Sequence, residues 1–138
     1  MQIQLQRIAH FSVPVTDIER SARFYNEVVG CTILAKDKKH CFMDAGGVCL
    51  LLCHQKGPIN QPGQEDLVHH AFAIPAEQYA KIEEHLKAHG VEVLYSEDRR
   101  GGTVNGPRTY FRDPDGTRLE FIELTLYDAT PRAKAGAH

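Results

Sequence analysis

The apolar and polar positions of this chain spell one series of elements twice. His10-Phe-Ser-Val-Pro-Val reads as a first strand, and His69-His-Ala-Phe-Ala-Ile repeats it in the second half. A helix follows each. In the first, Thr16 and Glu19 make a capping-box pattern, and Ile18, Ala22, Tyr25 and Val29 recur at helical spacing until Gly30 ends the run. In the second, Pro75 opens the helix, Tyr79, Ile82 and Leu86 form its apolar stripe, and Gly90 closes it. Cys31-Thr-Ile-Leu and Val91-Glu-Val-Leu then read as matching strands. Cys41-Phe-Met-Asp44-Ala-Gly-Gly47 aligns with Tyr110-Phe-Arg-Asp113-Pro-Asp-Gly116, and each leads into a final apolar strand, Val48 to Cys53 and Leu119 to Ile122.

The second of these turns is the stronger signal. Pro114 presets φ at its second position, Asp113 can bond its own backbone, and Gly116 leaves the turn without steric cost. Thr109 to Arg112 and Leu119 to Ile122 therefore form an antiparallel hairpin. Side chains alternate along it, so Glu120 and Ile122 share one face and Leu119 and Phe121 the other. The second copy is longer than the first, and its extra residues fall in 96–107, a polar, glycine-rich stretch expected to be a loop near a functional mouth. Each half thus reads strand, helix and three strands. The expectation is an α+β fold in which two tandem βαβββ modules form a curved mixed sheet around a cleft. Within one domain, 1–138, module one covers 5–53, a Gly/Pro-rich connector 54–66, module two 67–125 and a tail 126–138.

Composition narrows the function classes. A chain of 138 residues is long enough for one domain with a real core. It has neither an apolar run long enough to span a bilayer nor a signal-peptide pattern at Met1-Gln-Ile-Gln-Leu-Gln-Arg, so a cytoplasmic protein without membrane contact is expected. A formal net charge of -2 with no basic run gives no footprint for nucleic acid, which leaves a small-molecule substrate. Cys31, Cys41, Cys49 and Cys53 lack paired metal-site spacing and read as reduced, buried thiols.

Four features together resemble the vicinal oxygen chelate superfamily of glyoxalases, bleomycin resistance proteins and extradiol dioxygenases. They are His10 on the first strand, the Phe24-Tyr25 to Gly30 helix ending, His69 on the equivalent strand, and Asp113-Pro-Asp-Gly-Thr-Arg-Leu-Glu120. The resemblance implies that the cleft binds metal, with His10, His69 and Glu120 holding one divalent ion, Fe2+, Mn2+, Zn2+ or Ni2+. Two neutral imidazoles and one carboxylate suit such ions and leave positions open for substrate. His70 competes with His69: spacing to the helix-ending glycine favours His70, whereas the apolar pattern and the family pattern favour His69, which is the expected ligand. The resemblance also implies a homodimer whose metal sites are shared between chains, His10 of one completing His69 and Glu120 of the other.

Leu51 occupies the first-half position equivalent to Glu120, where glyoxalases and related epimerases commonly carry a further ligand that also moves the substrate proton. Leucine can do neither, so a glyoxalase-type lyase is disfavoured. The 99–108 stretch is a poor match to the potassium-binding loop of the family's thiol transferases. Tyr110, ten residues before Glu120, stands where extradiol dioxygenases place a tyrosine that hydrogen-bonds substrate. The leading expectation is therefore a metal-dependent, dioxygenase-like enzyme with Tyr110 catalytic, ahead of a lyase or thiol transferase. A non-enzymic, ligand-sequestering binder is the alternative from another class.

Overall fold

Each half builds its own mixed sheet, and the apolar alternation along the strands sets which face is covered. The computed structural model describes residues 1–60 and 67–132; residues 61–66 of the expected connector and 133–138 of the expected tail lie outside the described residues. Contacts divide the chain into a first unit, Met1–Gln64 with Asp113–Gly116, and a second, Glu65–Arg112 with Thr117–His138. The α+β class is as expected.

The first unit contains β1 (His10–Val15), α1 (Ile18–Phe24), β2 (Thr32–Lys36), β3 (His40–Ala45) and β4 (Val48–His54). Its sheet has the order β1-β4-β3-β2, with β1 parallel to β4 and the other pairs antiparallel. Leu50 and Leu52 of β4, Val13 and Val15 of β1, and Cys41 and Met43 of β3 are buried with Ile18, Ala22 and Tyr25 of the helical segment. The helix departs from expectation at both ends. Asp17 caps it by accepting from the Arg20 amide at 3.0 Å, while Thr16 bonds Asp115 instead. After Phe24 the backbone widens into a π-helical stretch, Tyr25–Val29, and the amides of Gly30 and Cys31 both donate to the Tyr25 carbonyl. The wider turn brings Val28 into the core and leaves Val29 half-buried.

The second unit contains β5 (His70–Ala73), α2 (Ala76–Tyr79), α3 (Ile82–Ala88), β6 (Tyr95–Arg99), β7 (Val104–Arg112), β8 (Arg118–Ile122) and β9 (Leu126–Tyr127). Its sheet runs β5-β8-β7-β6, with β5 parallel to β8 and β9 added beside β7. Ile82, Leu86, Phe111, Leu119 and Phe121 form its core. The single helix expected from Pro75 to Gly90 is two short ones, because Lys81 leaves helical geometry at φ -112° and ψ 8°. Val91 to Leu94 are not a strand.

The largest correction concerns 96–107. Most of that stretch is ladder, with Tyr95 opposite Tyr110 and Arg99 opposite Gly106, so only 100–103 bridge the two strands. Its polar composition conceals a strand because cross-strand hydrogen bonds, rather than an apolar face, hold β6. Asn105 organises the tip: it accepts from the Gly102 amide and donates to the Gly102 and Leu126 carbonyls, and is 3% exposed. Gly106 has φ 134° and lies so close to the Glu123 backbone that a Cβ would collide with its carbonyl. Among the described residues no helix is long and apolar enough to cross a membrane.

Candidate metal site and its cleft

Strand register identifies the equivalent positions of the two copies. On β1 and β4, Ser12 stands opposite Leu51; on β5 and β8, Ala71 stands opposite Glu120. Counting back two residues along each first strand gives His10 and His69, which are therefore equivalent places. His70 is opposite Leu119, on the other side of the strand from Glu120. It is half-buried, and burial, with the nearby His69, lowers its imidazole below the ordinary histidine value. Regular strand geometry starts at His70, so His69 sits just ahead of β5 instead of within it. The third strands correct the repeat alignment by one residue. Phe42 is opposite Leu51 and Tyr110 opposite Glu120, so Phe42, not Cys41, is the counterpart of Tyr110. The β7–β8 turn absorbs the extra residue.

His69, Tyr110 and Glu120 line one cleft of about 370 Å3 in the second unit, with Leu67, Ala71, Tyr95, Arg99, Val104, Arg108 and Arg118. Glu120 is 1% exposed. Its Oε1 lies 3.1 Å from His69 Nε2, and the other ring nitrogen, Nδ1, is 2.9 Å from the Leu67 carbonyl. A carbonyl can only accept, so the proton of a neutral imidazole must be on Nδ1. Facing a carboxylate oxygen, Nε2 either carries a second proton, as an imidazolium paired with Glu120, or gives its lone pair to a metal ion lying between the two. Two ligands about 2.1 Å from one ion and at right angles stand about 3 Å apart, as these atoms do. The donor set fits a divalent metal, and the Leu67 carbonyl orients the imidazole as backbone carbonyls do behind metal-bound histidines.

His10 belongs to the first unit, at the exposed start of β1 opposite Cys49. Among the described residues no three His, Cys, Asp or Glu side chains gather into a metal-holding group. The structure thus brings together two of the three expected ligands.

Tyr110 shares the Glu120 face through their direct pairing, but its hydroxyl donates to Glu97 Oε1 at 3.1 Å. Its ring stacks on Tyr95 at 4.5 Å and meets the His69 ring edge-on at 5.8 Å. Burial, then the charge of Glu120 and the bond to Glu97, push the phenol well above its ordinary value, so it stays a donor at neutral pH.

Three arginines were not anticipated. Arg118 lies over the Tyr110 ring at 4.3 Å and donates to the Tyr95 hydroxyl. Arg99 pairs with Glu97 at 2.7 Å, and Arg108 is 5% exposed with Nη1 3.8 Å from Glu120 Oε2. Two of them could have been read from parity, since Arg118 precedes Glu120 by two residues and Arg108 precedes Tyr110 by two. Arg99 was hidden by the reading of 96–107 as loop.

Comparison with known proteins gives relatives over most of the chain. Residues 7–121 match the family model of the Glyoxalase/Bleomycin resistance protein/Dioxygenase superfamily. The metallothiol transferase FosB of Lysinibacillus sphaericus is 32% identical over 124 residues, covering 90% of this chain and 86% of that protein. The glutathione transferase FosA of Serratia marcescens is 28% identical over 117 residues, covering 84% and 79%. In fold, the chain is similar to a Glu-to-Gln mutant of the fosfomycin resistance protein FosX of Listeria monocytogenes, solved with Mn(II) and 1S,2S-dihydroxypropylphosphonic acid. That match has a TM-score of 0.72 at 22% identity and covers 89% of this chain and 94% of that one.

Proposed function

The chain belongs to the glyoxalase/bleomycin resistance protein/dioxygenase superfamily, and from that membership we propose that it is a divalent-metal enzyme that adds a thiol to a small oxygen-bearing anion. The observation that supports the metal is the placement of His69, whose Nδ1 is turned to the Leu67 carbonyl at 2.9 Å so that Nε2 faces Glu120 Oε1 at 3.1 Å. His69 and Glu120 hold the ion, and His10 completes the set from a second copy of the chain in a homodimer. A bound ion would supply Lewis acidity toward substrate oxygens.

The cleft wall selects the substrate. Arg118 presents a cation beside the ligand pair, while Arg99 is paired with Glu97, and a cationic wall suits an anion better than a neutral catechol. Tyr110, kept protonated, supplies a hydroxyl donor to a substrate oxygen once it turns from Glu97. Leu51 gives no second acid at the equivalent position, which disfavours carbon-acid isomerisation as before. The dioxygenase-like expectation rested on Leu51, on the poor match of 99–108 to the potassium-binding loop of the thiol transferases, on the two-histidine, one-carboxylate ligand set and on Tyr110. The FosB and FosA relatives, matched over most of their length, favour the thiol-transfer alternative over it.

In the reaction, the thiol gives up its proton, its sulfur bonds to an electrophilic carbon, the carbon–oxygen bond at that carbon breaks, and the oxygen takes up a proton to become a hydroxyl, which in an epoxide stays on the neighbouring carbon. Fosfomycin, an epoxide phosphonate, is the first probe. Mn2+-loaded protein should convert it, with glutathione or cysteine, into a thioether followed by 31P NMR and mass spectrometry. A diol formed without thiol consumption would reassign the reaction to hydrolysis. Oxygen uptake by the Fe2+ form on catechols would restore the dioxygenase, and tight binding without turnover of any probe would favour the sequestering binder.

A further inference from the structure

We infer that Arg108 is a positioning residue for the metal site: it holds Oε2 of Glu120 so that Oε1 alone is presented beside His69. The inference rests on the reading of Glu120 as a metal ligand. Arg108 lies on β7 two residues before Tyr110, and Tyr110 is directly opposite Glu120, so Arg108 is the diagonal neighbour of the carboxylate on one face. Its guanidinium is fixed before it meets Glu120. Nε donates to the Gly106 carbonyl at 3.2 Å and Nη2 to the Val104 carbonyl at 2.9 Å, which leaves Nη1 toward Oε2 at 3.8 Å. Those carbonyls are themselves held: Gly106 is at φ 134° in a close approach to the Glu123 backbone, and β9 pairs with Val104 and Asn105.

The two oxygens of Glu120 are thus divided, Oε1 toward His69 and Oε2 toward a cation that cannot swing away. A buried carboxylate without such a partner could turn both oxygens toward an ion or withdraw both. The other cleft arginines do not serve this purpose, since Arg99 is engaged with Glu97 and Arg118 with the Tyr95 and Tyr110 rings. Arginine, with a planar fork able to bond two carbonyls and face a carboxylate at once, fits the place better than lysine.

The sign of the effect separates this role from simple electrostatics. A positive charge near a metal site repels the metal, so removing Arg108 for charge reasons alone would tighten Mn2+ binding. Positioning predicts the opposite. Mn2+ affinity, measured by EPR of the free ion during titration, should weaken about 10–100-fold in Arg108→Met, the range typical of lost outer partners of metal ligands. Arg108→Lys keeps the charge but not the fork, and should also weaken binding; it carries the test if Arg108→Met fails to fold, with thermal unfolding reporting the fold of each. Unchanged or tighter Mn2+ binding in the folded variants overturns the inference. Failure of the underlying reading looks different: wild-type protein and Glu120→Gln would then bind Mn2+ equally well or not at all.

Discussion

The two repeats place the same strands in the same register and fill them with opposite chemistry. In the first, Leu51 is opposite Phe42 on β3 and Ser12 on β1; in the second, Glu120 is opposite Tyr110 on β7 and Ala71 on β5. Leu51 is half-buried and Phe42 is 41% exposed, whereas Glu120 and Tyr110 are buried in a cleft wall with arginines about them. A duplicated scaffold therefore carries a polar site in one copy and an apolar face in the other. What the copies keep in common is a histidine two residues before the paired position, exposed in each case. The difference suggests a division of work, with the second copy holding the ion and orienting the substrate and the first lending one imidazole.

The strongest break of that contrast is to write the first repeat into the second. Glu120→Leu should abolish Mn2+ binding, a larger loss than the about 10–100-fold expected for an outer partner, and His69→Ala should do the same. Leu51→Ala should leave metal content unchanged. Metal analysis of the purified variants decides this, and stoichiometric metal in both second-repeat variants would end the assignment.

Tyr110→Phe makes the same exchange one strand over, since phenylalanine is what the first repeat has there. It removes a donor and little volume. Turnover should fall about 10²-fold, as for loss of one positioned donor to a substrate oxygen, while Mn2+ affinity holds. Equal losses in both would make Tyr110 a packing residue instead.

Sharing of work between copies also predicts complementation. His10→Ala and Glu120→Ala chains, each inactive alone, should recover up to half of the wild-type metal content in mixed dimers, because only one of the two sites is then intact. A monomer by sedimentation with full metal content would refute the shared site.

The sequence exposed this contrast unevenly. Strand order was legible because period-two alternation and helix-ending glycines survive in both copies, and the equivalence of His10 and His69 came from the apolar pattern and the family pattern, against a glycine spacing that pointed to His70. The Leu51 and Glu120 exchange was legible once the copies were aligned. The rest was hidden for physical reasons. A polar edge strand such as Tyr95–Arg99 is held by backbone ladder bonds and shows no apolar period, so it passes for loop. A π-helical stretch shifts the buried stripe from Val29 to Val28 without a local sequence mark. The arginine walls depend on which side chains cross between strands, which parity brackets and only the coordinates fix.

The hairpin turns give the mildest and most local test of the comparison. In the first repeat, Asp44 accepts a long bond from the Gly47 amide, at 3.4 Å and exposed. In the second, the turn belongs to the first unit and both its acids are anchored there: Tyr25 donates to Asp113 at 2.8 Å, and Asp115 accepts from the Thr16 hydroxyl at 2.6 Å, the Thr16 amide at 3.0 Å and Arg20 at 3.0 Å. Burial alone would raise the Asp115 carboxyl, but the Thr16 bonds and Arg20 outweigh it and hold it below the usual carboxylate value. A depressed folded value stabilises the protein above the unfolded value, about 3.9, and that contribution disappears as pH falls through the folded one. Asp115→Asn should therefore cost about 1.5–3 kcal/mol at pH 7, the range for hydrogen bonds to a charged group, and the gap from wild type should close as pH drops below about 4. Asp44→Asn should shift melting little at either pH. Thermal unfolding from pH 7 down to pH 3 reads both, and a gap for Asp115→Asn that stays constant across that range would mean that shape, not charge, anchors the turn.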